Sequence, residues 1–175
     1  LTLSLMAIRR LRLDAVWWLV TPGIPLKDHA PGALARRLAA AEEMARDPRI
    51  TVTAVEAALK TRYTADTLAI LARRLPGVKL VWLMGADNLS QFHRWRHWRQ
   101  MPATMPIAVY ARPGSTFRAM ASPAAHALAR FRLDEADAAL LPDHPPPAFV
   151  FLHGPRVAMS STALRAGSIK KSARS

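Results

Sequence analysis

The sequence predicts an α/β fold, a parallel sheet flanked by helices, on three observations. Short apolar runs alternate with segments whose apolar residues recur at helical spacing. The runs are apolar at consecutive positions, as in strands buried on both faces. Polar motifs follow the ends of these runs or open helices, where a parallel sheet presents its ligand crevice.

The elements follow in order. Residues 3–11 read as the tail of an amphipathic helix. Residues 16–20, Val-Trp-Trp-Leu-Val, read as a buried strand stopped by Thr21-Pro22-Gly23. The pair Trp17-Trp18 resembles a stacking platform for bases, but an all-apolar run places it in the sheet core. Residues 33–46 carry Leu34, Leu38, Ala41 and Ala45 on one face and form a helix that ends before Pro48. Residues 50–55 alternate and read as strand. Thr64 is placed as the cap of a helix with Leu68, Leu71, Ala72 and Leu75 inward, stopped by Pro76-Gly77. Residues 80–84, 107–111 and 149–152 read as further buried strands. A helix is expected over 122–132, a loop at Pro145-Pro146-Pro147, and a basic, frayed tail from about residue 169.

Composition narrows the function classes. The 175 residues suit one domain with a real core. A hydrophobic content of 51% and a charged content of 21% are ordinary for a soluble protein. No apolar stretch reaches the ~18 residues of a membrane span. The first thirteen residues place Arg after the apolar part, the reverse of a signal peptide. There is no Cys, so neither a disulfide framework nor a thiolate metal site is available. A cytoplasmic enzyme of bacterial type is expected, with no membrane partner. The net charge of +13 invites a nucleic-acid reading. However, twenty Arg to five Lys, with abundant Ala and Pro, fits GC-rich codons, and the cations are scattered. A nucleotide enzyme also gains from a positive field that draws in polyphosphates. No nucleic-acid partner is expected; a homo-oligomer is compatible with the sequence.

The chemistry is concentrated near the C-terminus. In Met159-Ser160-Ser161-Thr162-Ala163-Leu164-Arg165, two hydroxyls stand where a helix cap is wanted, and Gly167 can end the helix. Free N–H groups of a first turn form an anion site, to which Arg165 adds a fork of donors. Hydroxyls, backbone donors and a guanidinium suit phosphate; a cap alone is the competing reading. His93 and His97 stand four apart, as metal ligands on a helix can, but no third ligand completes a set, so no metal site is expected.

Read in order, Thr21-Pro22-Gly23-Ile24-Pro25-Leu26-Lys27, Tyr63-Thr64-Ala65-Asp66-Thr67-Leu68, Gly85-Ala86-Asp87-Asn88, Phe92-His93-Arg94-Trp95, Arg112-Pro113-Gly114 and the Ser-Ser-Thr segment form a set. In this order and spacing the chain resembles the bacterial nicotinate-nucleotide adenylyltransferases, of Rossmann-like nucleotidyltransferase fold. The resemblance implies adenylyl transfer from ATP to nicotinate mononucleotide in NAD biosynthesis, with Mg²⁺ accompanying ATP. It implies that Ser160, Ser161, Thr162 and Arg165 bind ATP phosphates, with Ser161 and Arg165 the catalytic pair. It implies that Gly85, Asp87 and Arg112 meet the ATP side. Asp87 has a second reading as a helix cap before Leu89, and Arg112 as one half of a surface salt bridge.

On the mononucleotide side the resemblance assigns Lys27, Thr64, Ala65 and Trp95. Trp95 matches the aromatic that stacks on the pyridine ring, and a flat π-face suits a flat ring. Its competing reading is core, since Trp98 is close by and both cannot be ligands. The turn at Thr64 and Ala65 offers N–H groups to the nicotinate carboxylate, and an anion there gains about 0.3–2 kcal/mol that an amide largely lacks. Lys27 is placed to reach a phosphate; Ile24 stands where Asn is common in the family.

The family opens with a strand and a turn of the type G-S-F-x-P-x-H-x-G-H, whereas this chain begins inside the helix that follows. An N-terminal truncation is therefore expected, with the first strand of the sheet missing from this chain. Two other readings stay open: a catalytically dead nucleotide-binding remnant, and a basic nucleic-acid-binding module.

Overall fold

The computed structural model describes residues 1–21, 33–111 and 116–154. At its centre, β4 (Ile107–Tyr110) and β6 (Phe149–Leu152) are buried at every position. Only strands covered on both faces can be apolar throughout, and the packing shows both covers. Ile107, Val109, Phe149 and Phe151 join one cluster, while Ala108, Tyr110, Val150 and Leu152 join another. The alternation is the period of two that a pleated strand imposes.

The other elements arrange themselves around this pair. In chain order they are α1 (Thr2–Arg10), β1 (Val16–Leu19), α2 (Ala33–Met44), β2 (Ile50–Thr53), the single turn α3 (Val55–Ala58), α4 (Thr64–Arg74), β3 (Trp82–Gly85) and α5 (Ala86–Gln91). After the short α6 (Met101–Thr104) and β4 come α7 (Thr116–Met120), α8 (Pro123–Leu128), β5 (Arg132–Leu133) and β6. Every strand pair is parallel. One sheet has the order β3-β4-β6-β5; β1 and β2 form a second, in register Val16↔Ile50 to Leu19↔Thr53. The chain is thus a parallel α/β protein with helices on both faces, the Rossmann-like build expected from the alternation of elements.

α1 ties the two sheets together. Met6, Ala7 and Leu11 pack on the β4–β6 face, while Ile8 packs with Val16 and Ile50. Leu83 of β3 touches both clusters. Among the described residues, β1 and β3 each have a hydrogen-bonded neighbour on one side only.

Several expectations are corrected. The strand drawn over 50–55 ends at Thr53, and Val55 opens a helical turn instead. The helix drawn over 122–132 is Pro123–Leu128 followed by a 3-10 turn, capped by Ser122, whose Oγ accepts from the Ala125 N–H at 3.2 Å. The two-residue strand β5 and the 3-10 segment Glu135–Asp143 were not foreseen. Leu34, Leu38, Ala41 and Ala45 do lie on the covered face of α2 but are only half-buried. The pair Trp17-Trp18 is not sheet core. Trp18 is half-buried and its Nε1 donates to Ser4 Oγ at 2.8 Å, but Trp17 points to the opposite face and is 46% exposed. A strand paired on one edge only gives its residues little cover.

Candidate functional site

α4 and the segment after α5 meet in a cleft of about 250 Å³ lined by Arg62, Tyr63, Thr64, Ala65, Trp95 and Arg96. Three of these, Thr64, Ala65 and Trp95, are the residues the family resemblance assigns to the pyridine end of a mononucleotide. Positions thirty residues apart in the chain therefore share one cavity.

The floor is the start of α4. Its capping position is Tyr63, in extended conformation, not Thr64; Thr64 is the first helical residue, and no side chain caps the helix. The reason lies in Thr61 and Thr67. Thr67 is fully buried, its Oγ1 lies 2.7 Å from Thr61 Oγ1, and the Tyr63 carbonyl accepts from the N–H groups of Asp66 and Thr67. The chain enters the helix along this internal hydroxyl pair. The first N–H groups of a helix have no partner within it, and Thr64 and Ala65 line the cleft. Ala65 is buried and packs with Leu68, which fixes the terminus against the core.

The wall is Trp95, and Phe92 decides how it stands. Phe92 is fully buried at the start of a 3-10 turn, Phe92–Arg94. Trp95 meets its ring edge-on at 5.5 Å and Trp98 does so at 5.8 Å. Trp98 is 9% exposed and belongs to the core, whereas Trp95 is half-buried and lines the cleft. Of the two tryptophans, Trp95 is the one that lines the cleft, and it also packs against the core cluster. The same turn dissolves the helical His pair. The chain is extended at Trp95 and left-handed at His97 (φ 55°), so His93 and His97 share no helix face, and His97 Nε2 accepts from Arg96 Nε at 3.2 Å.

Gly85 and Asp87 sit at the carboxyl end of β3. Gly85 is buried and takes the capping position of α5 with φ −79° and ψ 155°, angles open to any residue, so the backbone does not demand glycine there. Asp87 is exposed in the first turn of α5 and is not its N-cap. A carboxylate in a first turn complements the helix dipole. Lys27, Arg112, Ser160, Ser161, Thr162 and Arg165 lie outside the described residues, as do Ile24 and Gly167.

A polar cluster marks the carboxyl end of β6. Glu135 Oε1 accepts from Arg10 Nη2 and from the His153 N–H, both at 2.9 Å, and Glu135 Oε2 lies 2.6 Å from His153 Nδ1. Partial burial works against ionisation of Glu135, but the two bonds from His153 and the one from Arg10 outweigh it and hold the carboxyl below its usual range. The sign follows from linkage. A carboxyl depressed in the folded state stabilises above its unfolded pKa, and that contribution is lost as pH falls through the folded value. Glu135→Gln is accordingly expected to lower Tm at pH 7 and to leave it nearly unchanged at pH 3, as thermal melts at the two pH values would show. Close by, burial pushes the Tyr110 phenol up, and its hydroxyl has no hydrogen-bond partner among the described residues.

Sequence reasoning missed Arg62, Tyr63 and Arg96. In a chain of net charge +13 an arginine looks like ordinary surface. The signal that was there is adjacency: Tyr63 precedes Thr64, and Arg96 follows Trp95.

A parallel α/β sheet with helices on both faces is consistent with the Rossmann-like nucleotidyltransferase fold, and in this chain the start of α4 lies in a cleft lined by aromatic and cationic side chains. No family model matches the chain. Curated relatives do. A protein of Bradyrhizobium sp. (strain ORS 278) is 55% identical over 164 residues, covering 93% of this chain and 85% of the relative. One of Brucella suis biovar 1 is 54% identical over 166 residues (94% and 86%), and one of Methylorubrum extorquens is 56% identical over 166 residues (94% and 90%). Each carries the name probable nicotinate-nucleotide adenylyltransferase. The chain belongs to the nicotinate-nucleotide adenylyltransferase family.

Proposed function

We propose that this protein transfers the adenylyl group of ATP to nicotinate mononucleotide, giving nicotinate adenine dinucleotide and pyrophosphate in NAD biosynthesis. The observation that carries the reading, beside the relatives, is the cleft that joins a half-buried Trp95 to the N-terminus of α4. A flat ring bearing a carboxylate in its plane has its two recognition elements at these two places.

In the reaction a phosphate oxygen of the mononucleotide attacks the α-phosphorus of ATP in line. A new P–O bond forms, the bond to the bridging oxygen of the β-phosphate breaks, and pyrophosphate leaves with the electron pair. Such a step needs positioning and charge neutralisation more than covalent help. Trp95, Thr64 and Ala65 hold the pyridine end, and Lys27 meets a phosphate on the mononucleotide side. Gly85, Asp87 and Arg112 receive the adenosine side. Ser160, Ser161, Thr162 and Arg165 bind the triphosphate, and Ser161 and Arg165 stabilise the charge that develops on it. Mg²⁺ enters bound to ATP, as part of the substrate. Among the described residues no three His, Cys, Asp or Glu gather into a possible cation site. Among the same residues no helix is long and apolar enough to cross a membrane.

Trp95→Ala tests the site. Mononucleotide affinity should fall by about 1–3 kcal/mol, the worth of a base–aromatic stack, while ATP affinity and Tm hold. Calorimetric titration with each substrate, beside a thermal melt, measures all three. Equal loss for both substrates, or a collapse of Tm, would show Trp95 to be core and overturn the assignment.

A further inference from the structure

We propose that Glu135 is a positioning residue for the ATP side of the reaction: it fixes His153 and Gly154, the first residues beyond β6, at the ligand edge of the sheet. The inference rests on the reading that ATP lies along the carboxyl ends of β3 and β4, and adds to it a residue that touches no substrate.

Register defines the edge. Gly85 pairs with Tyr110 and Tyr110 with Leu152, so the last residues of β3, β4 and β6 stand in one row. At ~4.8 Å per strand, the end of β6 lies about 10 Å from Gly85. Parallel sheets bind their ligands outside such a row, and His153 and Gly154 carry the chain out of it.

Glu135 holds His153 twice. Its Oε1 accepts from the backbone N–H at 2.9 Å, and its Oε2 lies 2.6 Å from Nδ1. A carboxylate only accepts, so Nδ1 carries the proton, and ring and backbone are set together. The Phe151 ring meets the imidazole edge-on at 5.3 Å. Oε1 also accepts from Arg10 Nη2 at 2.9 Å, which ties the same grip to α1. One residue further on, α1 approaches again. A Cβ at Gly154 would come within 2.9 Å of Met6 Cε, so glycine lets the chain pass close to the helix.

Stability alone does not call for this arrangement. An isolated ion pair at a surface contributes little, and the His153 side chain is 58% exposed. What the contacts specify is place: backbone, ring and the neighbouring glycine are each located against α1. That helix packs on the β4–β6 face and on Val16 and Ile50, so the exit of β6 is set relative to both sheets. Place matters at such an edge, because a displacement of about 1 Å can cost on the order of 10² in rate.

The test is isothermal titration of the 175-residue chain with ATP in the presence of Mg²⁺, and separately with nicotinate mononucleotide, beside thermal melts. Glu135→Ala should weaken ATP binding by about tenfold and leave the mononucleotide within about twofold. The mononucleotide cleft stands on α4 and Trp95 and is not held by Glu135. Glu135→Asp keeps the charge but shortens the reach, and should behave as Glu135→Ala. Glu135→Gln loses the charge but keeps an oxygen that accepts from the His153 N–H. It should bind ATP within about threefold of the wild type, although its Tm at pH 7 is lowered. His153→Ala keeps the backbone N–H and should bind ATP within the same about threefold. If ATP affinity instead follows Tm across the Glu135 variants, Glu135 is a structural residue only. If His153→Ala loses as much as Glu135→Ala, the ring itself meets the nucleotide and the positioning role falls. A wild type and a Glu135→Ala that bind ATP equally well overturn the role and leave the ATP reading standing. A wild type that binds no ATP overturns that reading, and the role with it.

Discussion

Phe92→Ala is the substitution expected to damage stability most. The side chain is fully buried, and replacing a core Phe by Ala typically costs about 3–5 kcal/mol. For a protein of this size that corresponds to a fall in Tm of roughly 6–20 °C. The loss also reaches the cleft, because Phe92 is the ring against which both Trp95 and Trp98 stand. Mononucleotide and ATP binding should therefore decline together with Tm, in contrast to Trp95→Ala, which should weaken only the mononucleotide. Phe92→Leu, which keeps most of the volume, should recover most of the stability without the edge contacts. If Phe92→Ala melts within a few degrees of the wild type, the 3-10 turn that sets the two tryptophans is held by something else.

The contrast between these variants marks how far the sequence could be read. The strands at 107 and 149 were legible because burial on both faces leaves no polar position, and few arrangements apart from a covered parallel strand produce such a run. β5 was not, because two residues cannot show a period and Arg132 opens them. The site was legible where a residue type has one plausible chemistry at one place. A Thr before a helical run marks the terminus to within a residue, although the cap proved to be Tyr63, since the hydroxyl that binds locally is the buried one of Thr67. Which of Trp95 and Trp98 faces the cleft was not legible at all. Spacing cannot reveal that the chain turns extended at the first and left-handed between them. Arg96 was hidden among twenty arginines, and its place on the Tyr63 ring at the cleft sets it apart.

The division into two sheets also distributes resistance to opening. In β4 and β6 all eight residues are buried, whereas β1 and β2 each bury one, Val16 and Ile50. Regions with few buried apolar contacts unfold locally at a small fraction of the global free energy. Amide hydrogen exchange should therefore run fastest in β1 and β2 and slowest in β4 and β6, with α1, which touches both, between them. The β3–β4–β6 half, whose core strands are buried throughout, keeps its shape through those openings. The β1–β2 pair would breathe on the timescale of exchange while the β4–β6 pair holds still.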